Sequence, residues 1–317
     1  MPDCFVGFDT SNYTTSIGIV GADGKLLANI KKLLPVAEGA CGLRQSDAVF
    51  AHIKNFPDLL FQAEEVLRGK TVCAVGYSSR PRNAEGSYMP CFLCGQTAAL
   101  AFCADRGILR YAFSHQCGHI SAALLSAGRW DMADGDFLSF HVSGGTTEVL
   151  LCKKENSGFS TEIVGGTKDL NAGQVIDRTG VLLGMRFPCG RRLEESADLC
   201  TKEIRVPKVS VEGAYCNLSG LQNLAEQRYR AGAEISEVAS FVFSYIAETL
   251  LELAENARAV YGRLPIIFAG GVMSNRRIKS RLSDLPDVYF AEPDLSADNA
   301  VGIAELARRK FLEEQKR

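Results

Sequence analysis

The sequence predicts an α/β protein built from two versions of one lobe. Three observations carry this: strand-like and helix-like segments alternate along the chain, two stretches share one strand–turn–strand pattern, and the composition supports two cores. The chain has 317 residues, two lobes at about 150 residues per domain, each large enough for its own core without disulfides or structural metal. With 35 Lys+Arg against 37 Asp+Glu and 46% hydrophobic residues, it is neither a disordered chain nor a mini-protein. Near-zero net charge removes any global pull toward nucleic acid, so RNA contact needs local basic clusters or a partner subunit. No segment approaches the roughly 18 apolar residues of a membrane span, and MPDCFVGFDT lacks signal-peptide character. The expected location is the cytoplasm, with no membrane partner. The 11 cysteines, odd in number and scattered through apolar stretches, fit a reducing compartment. Cys91 and Cys94 have C-x-x-C spacing without a second pair or a nearby histidine, and read as core residues of a helix.

The elements follow in order. CFVGFDTSNYTTSIGIV from Cys4 and DFLSFHVSGGTTEVLL from Asp136 align Phe5 with Phe137, Phe8 with Phe140, Ser11 with Ser143, Thr14 with Thr146 and Thr15 with Thr147. Each reads as strand, tight polar turn, strand, and GADGKLLANIK and KENSGFSTEIVGG each supply a third strand. Asp47 to Arg68 carries Val49, Ile53, Phe56, Leu59, Leu60, Ala63 and Val66 at helical spacing, with Pro57 marking a kink or break. TVCAVGYSS is a strand, followed by the loop RPRNAEGSYMP, a helix from Cys91 to Arg106, the strand ILRYAFS and a helix from His115 to Ala127. The later half predicts helices at Asn171 to Leu183, Arg191 to Leu199 and Glu234 to Tyr261, the strand PIIFAGG, a helix from Ser274, the strand DVYFAEP and a last helix from Asp298 to Glu314.

Four pieces could carry chemistry. His115 and His119, four apart at a helix start, project from one face and could share a metal ion with a third ligand from elsewhere. Two polar residues opening a helix are the plain alternative. Gln116 stands where H-E-x-x-H needs its general-base glutamate, which argues against simple zinc proteolysis. The turn Val142-Ser143-Gly144-Gly145-Thr146-Thr147 allows close backbone approach to a phosphate within a ring of hydroxyls, and Asp9 to Thr14 offers a carboxylate and hydroxyls in the equivalent place. Either turn alone could be only a well-bonded hairpin. The paired glycines Gly270 and Gly271, ahead of a helix start at Asn275, let a purine lie against bare backbone. Asp298-Asn299 begins the last helix, as an N-cap or as the carboxylate completing His115 and His119.

Two phosphate-facing hairpins from duplicated RNase H-like lobes form the plan of the actin/Hsp70-type (ASKHA) ATPase-like superfamily. On that plan residues 1–110, joined by the last helix 298–317, form one lobe and residues 111–297 the other, with the nucleotide in the cleft between. With its motifs in order, the chain resembles the TsaD/Gcp family of tRNA threonylcarbamoyladenosine synthases, once described as O-sialoglycoprotein endopeptidases. The family's H-x-x-x-H matches His115 and His119, and its late D-N matches Asp298-Asn299. Its S-G-G-H-T matches Ser143 to Thr147, and its D-x-A-G-x-x-x-D-(K/R)-T matches Asp169, Ala172, Gly173, Asp177, Arg178 and Thr179. Its P-G-G matches Pro188 to Gly190, and its A-G-G-V-x-x-N-R matches Ala269 to Arg276.

The resemblance implies one divalent metal, iron or zinc, on His115, His119 and Asp298. It implies an ATP- or adenylate-type nucleotide against Val142, Ser143, Gly144, Gly145, Thr146, Asp177, Gly190 and Asn275, alongside Gly270 and Gly271. Asp9, Ser11 and Asp177 are the candidate catalytic side chains. The implied reaction is acyl transfer of threonylcarbamoyl from its adenylate to the adenosine beside the tRNA anticodon, with TsaB-like and TsaE-like partner subunits. The chain departs from the family at Thr146, where the family has histidine, at Tyr13 and Thr14, which replace two acidic residues, at Gln174, which replaces a glutamate, and at Arg80-Pro81-Arg82-Asn83-Ala84-Glu85-Gly86, which stands where the family has an arginine-glycine-proline-glycine loop. These changes fall near the transfer step. The alternatives are therefore a nucleotide-binding ATPase or kinase-like relative with another acceptor, and a non-catalytic partner subunit. Candidate RNA contacts are Arg80 and Arg82, Arg191 and Arg192, and Arg276, Arg277, Lys279 and Arg281.

Overall fold

A computed structural model describes residues 3–11, 13–35, 43–104, 106–156, 158–296 and 300–316. The chain divides into two compact units. The first is Met1–Gly135, Lys153–Thr161 and Asp294–Arg317, and the second is Asp136–Cys152 and Glu162–Pro293. Within the described residues of the first unit, the elements are β1 (Asp3–Thr10), β2 (Thr14–Gly21), β3 (Leu26–Leu33), α1 (Gln45–Leu67), β4 (Thr71–Arg80), α2 (Phe92–Ala104), β5 (Leu109–Ser114) and α3 (His115–Ser126). The second contributes β6 (Phe137–Val142), the larger parts of β7 (Thr147–Glu155) and β8 (Gly158–Thr167), whose adjoining ends belong to the first, and then α4 (Ala172–Leu182), α5 (Gly190–Asp198), β9 (Val211–Glu212), β10 (Tyr215–Cys216), α6 (Ser219–Arg230), α7 (Ile235–Tyr261), β11 (Ile266–Ala269), α8 (Arg276–Leu282) and β12 (Val288–Phe290). The short α9 (Pro293–Ser296) leads back to the first unit, which ends in α10 (Val301–Glu314).

The first sheet has the order β3-β2-β1-β4-β5, and the second β12-β11-β6-β7-β8-β10-β9. The shared core of the two is the same: an antiparallel hairpin whose first strand runs parallel to a later strand, β1 with β4 and β6 with β11. Phe8 pairs with Ile17 in one hairpin and Phe140 with Val149 in the other, so the aligned phenylalanines hold equivalent buried places. The expected duplication is thus present in the topology.

In the first unit the strand period of two sends alternate side chains of β1 to opposite faces. Cys4, Val6 and Phe8 pack with Ile17, Ile19, Phe56 and Leu59, on the side of α1 and α2. Phe5 packs with Val20, Ala74, Val301 and Ala304, on the side of α10. That helix lies close because Gly7 has no side chain: a Cβ there would stand 2.3 Å from the Ala300 carbonyl oxygen. Helix α3 joins the same layer, since a Cβ on Gly302 would meet the Gly118 carbonyl oxygen at 1.9 Å. This packing carries the first unit to Gly135, past the expected boundary at residue 110. Pro57 lies inside a continuous α1, where no break occurs.

The core of the second unit joins Leu138, Phe140, Val149 and Phe268 of the sheet to Val175 and Ile176 of α4 and to Phe241, Tyr245 and Leu250 of α7. Helix α6 is an element the periodicity does not predict. Its start is held by Asp169, which accepts from the Leu218 amide at 2.7 Å and from the Ser219 amide and hydroxyl at 3.1 and 2.5 Å. Partial burial opposes ionisation of this carboxyl, but these donors outweigh it and lower its pKa to about 2. Among the described residues, no helix is long and apolar enough to cross a membrane. Cys91 is fully buried, and burial pushes its thiol up to about 12, which fits the core reading of the C-x-x-C pair.

Candidate functional site

The first unit gathers Asp9, Ser11, His115 and His119. Asp9 ends β1 with 0% exposure, and its Oδ1 accepts from the Ser78 hydroxyl and from His115 Nδ1, the latter at 2.8 Å. Its Oδ2 is buried with no hydrogen-bond partner among the described residues. With Nδ1 donating to Asp9, the lone pair of His115 sits on Nε2, which lies 2.9 Å from Nε2 of His119. Helical spacing on α3 thus brings both imidazoles to one point. Ser11 orders the turn: its hydroxyl accepts from the Thr14 amide at 3.2 Å, and its carbonyl accepts from His52 Nε2 at 2.8 Å.

His52 is a residue to which the sequence pattern assigns no role. It is fully buried on α1, its Nδ1 accepts from the Thr15 hydroxyl at 2.8 Å, and that hydroxyl accepts from Asn55 Nδ2 at 3.1 Å. Burial lowers its pKa despite the Ser11 carbonyl and the Asp9 charge, so one neutral tautomer is selected. Its only signal in the sequence is its place on the inward face of α1.

Two imidazoles with converging nitrogens, one of them backed by a buried carboxylate, fit a divalent ion of borderline softness. Asp298, the expected third ligand, lies outside the described residues. Among the described residues no group of three His, Cys, Asp or Glu side chains forms a ligand set.

In the second unit, Gly144, Asp177, Gly190, Gly271 and Asn275 line one cavity of about 470 Å³. Gly173, Ile176, Arg191, Glu194 and Phe243 complete much of its wall. The other predicted residues shape this wall rather than line it. The Ser143 hydroxyl accepts from the amides of Gly145 and Thr146, at 3.3 and 3.1 Å, and so closes the turn. The Val142 side chain is buried, and its carbonyl oxygen would stand 2.3 Å from a Cβ on Gly270, whose φ of +103 also suits glycine. Asp177 Oδ1 accepts from the Cys189 amide at 2.7 Å, which fixes the loop carrying Pro188 and Gly190. Asn275 is 5% exposed; its Oδ1 caps α8 through the Ile278 amide at 3.0 Å, while its Nδ2 is buried without a partner among the described residues. A donor left so is costly unless a ligand accepts from it. Gly190 also opens α5, whose first amides favour anionic groups.

The expected RNA contact at Arg276, Arg277 and Arg281 is not a free basic face. Arg276 pairs with Asp198 at 2.6 Å and Glu194 at 3.6 Å, Arg277 with Asp198 at 3.3 Å, and Arg281 with Glu248 at 2.6 Å and Asp284 at 3.0 Å. All but Asp284 of these carboxylates come from other helices, which one-dimensional charge counting does not reveal. Lys279 lies over the Phe290 ring at 5.2 Å.

Two sheets of one repeated topology, each opening on a polar hairpin turn, define a protein with the actin/Hsp70-like α/β fold. The solved Acidaminococcus fermentans (R)-2-hydroxyglutaryl-CoA dehydratase component A shares this fold, with a TM-score of 0.56 at 15% identity over 98% of this chain and 99% of its own. Within that class the chain belongs to the TsaD family, described as tRNA N6-adenosine threonylcarbamoyltransferase, whose sequence model matches residues 48–305. A protein of that name from Methanopyrus kandleri is 28% identical over 94% of this chain and 85% of its own length. Another from Thermus thermophilus is 30% identical over 96% and 92%.

Proposed function

We propose that this chain transfers a threonylcarbamoyl group from threonylcarbamoyl-AMP to N6 of the adenosine beside the tRNA anticodon. The observation that carries the reading is the cavity of the second unit, where five residues expected to hold the adenylate converge around the unpartnered Asn275 amide. Bare backbone at Gly144, Gly190 and Gly271 admits phosphate and purine without a side chain between, and Asn275 Nδ2 donates to a ligand acceptor. Asp177 acts through the loop it braces.

A divalent ion on His115 and His119 would supply Lewis-acid polarisation of an acyl or phosphate oxygen. Asp9 holds His115 by Nδ1 so that its Nε2 faces His119, and Ser78 holds Asp9. His52 holds the Ser11 turn in place from beneath. The chemistry is acyl transfer from a mixed anhydride: the amine forms the new C–N bond, AMP leaves with the anhydride electron pair, and the amine loses one proton. Partner subunits of the TsaB and TsaE kind belong to the same reading.

The test combines the purified chain, threonylcarbamoyl-AMP generated in situ, unmodified tRNA and those partner subunits, with nucleoside mass analysis and metal content as readouts. Modified adenosine is expected, and it disappears with His115→Ala. Product formation unchanged by that substitution, at normal metal content, refutes the assigned metal role. One second reading has an observation behind it, since Tyr13, half exposed, and Thr14 replace acidic residues in the first turn. Nucleotide turnover without tRNA or threonylcarbamoyl donor would favour phosphoryl chemistry on another acceptor.

A further inference from the structure

Between Arg178 and Arg192 the sequence carries four arginines, Arg178, Arg186, Arg191 and Arg192, and no acidic residue, in a chain whose net charge is −2. All four are exposed. Arg178 donates to the neutral Gln222 at 3.2 Å, Arg192 donates to the Arg186 carbonyl at 3.2 Å, and Arg191 meets a carboxylate, Glu195 at 3.1 Å, on the open surface. That pair is the most exposed of these, its side chains 91% and 60% exposed, so water and salt screen it most. Glu194 and Asp198, the acids that could quench this face from α5, are engaged by Arg276 and Arg277. The ion pairs that remove the expected RNA contact on α8 therefore leave the α4–α5 face cationic.

Within the same stretch of chain, next to Arg186, stands Phe187, 73% exposed. The loop around it is braced. Met185 donates to the Gly180 carbonyl at 2.9 Å across the end of α4, Gly184 takes the turn at φ +82, and the Cys189 amide is held by Asp177 at 2.7 Å. Cys189 is fully buried against Gly180, where a Cβ would meet its own Cβ at 2.2 Å. The flanking Leu183 and Cys189 are thus anchored while Arg186, Phe187 and Pro188 face outward. Pro188, the next residue after Phe187, and Arg191 line the cavity assigned to the adenylate.

We propose that this face docks single-stranded RNA, with the Phe187 ring as a stacking platform for one base and the surrounding guanidinium groups on its phosphates. An exposed ring among cations is the arrangement that grips unpaired nucleotides, because every base has a face to stack and every linkage a charge. The proposal rests on the tRNA reading above and names the surface through which that acceptor is presented beside the cavity.

Binding is measured on the full chain, without acyl donor or partner subunits, by fluorescence anisotropy of a labelled RNA hairpin with an unpaired loop and of a fully duplexed control. Phe187→Ala is expected to weaken hairpin binding roughly 5- to 150-fold, the range of one lost base stack. Phe187→Trp should bind as the unaltered chain does, which separates stacking from a folding defect. Arg178→Glu with Arg186→Glu should weaken binding further and flatten the log–log salt slope by about 0.7 for each phosphate no longer neutralised. No hairpin binding by the unaltered chain, or affinities within about twofold across all variants, overturns the proposal. So does retained RNA affinity with lost capture of a partner subunit, which would make the face a protein interface. Hairpin binding that depends on Phe187 but yields no modified adenosine in the transfer assay upholds the surface and refutes the transferase reading alone.

Discussion

The two hairpin turns occupy the same place in the same topology and are built for different work. The first, between β1 and β2, is tied down from every side. Thr10 donates to the Cys91 carbonyl at 2.8 Å, His52 donates to Ser11, and Asp9 is held by Ser78 and His115. The second, between β6 and β7, organises itself through the Ser143 hydroxyl and leaves Gly144 and Gly145 with open space where a Cβ would be. Duplication preserved the hairpin and its buried phenylalanines. Divergence turned one copy into a buried support for imidazoles and kept the other as bare backbone facing a cavity.

Substitutions that touch one turn and spare the other test this division. The largest effect is expected from Gly173→Val, because a Cβ there already stands 2.6 Å from Gly144 Cα. Displacement of the second turn should lower adenylate affinity on the order of 100-fold, and overpacking should remove about 1–3 kcal/mol of stability. Calorimetric titration with a non-hydrolysable adenylate and thermal melts read the two effects, and metal content should not change.

Asp9→Asn acts on the other turn. Loss of the carboxylate behind His115 should weaken divalent-metal affinity roughly 10- to 100-fold, read by competition with a chromogenic chelator. Adenylate affinity unchanged in the same variant would sharpen the contrast, and a parallel loss would break it. Asn275→Asp keeps the oxygen that caps α8 but replaces the buried donor with a charge. Adenylate affinity should fall at least about tenfold, the worth of one buried hydrogen bond, with melting little changed near neutral pH.

The smallest effect belongs to His52. Its folded pKa lies below the ordinary value of 6.5, so the unfolded chain binds a proton that the folded chain does not. Stability is therefore full above about 6.5 and falls as pH drops toward the folded pKa. His52→Gln should flatten this slope in urea titrations run at a series of pH values. The Asp169 carboxyl, also lowered, acts in a more acidic window, with stability present above 3.8 and lost as pH falls toward about 2.

Much of the fold could be read directly. Local period and turn chemistry predict α3, α4, α5 and α7 to within a residue or two, because their apolar spacing and their breakers lie in the segment itself. Helix α6 escaped, since its weakly apolar sequence is stabilised by burial of Leu221 and Ala225 and by Asp169 from a distant strand end. The cavity residues were legible as glycines and an asparagine at strand–helix junctions. Glu194 and Phe243, which complete the wall, carried no signal, and Arg191 stood out only as a candidate RNA contact, because a cavity wall is chosen by proximity in space.

Sequence alone determined the repeated hairpins, the pairing of His115 with His119, and the glycines that leave backbone bare at the second turn and the later strand–helix junction. Each depends on backbone period or on the absence of a side chain, both properties of a few consecutive residues. Tertiary structure decided which charges remain free and which polar groups are held. Arg276 and Arg277 are neutralised by Glu194 and Asp198, and His52 reaches Ser11 across 41 positions of chain. Coulomb and hydrogen-bond energies depend on distance in space, and only folding sets that distance.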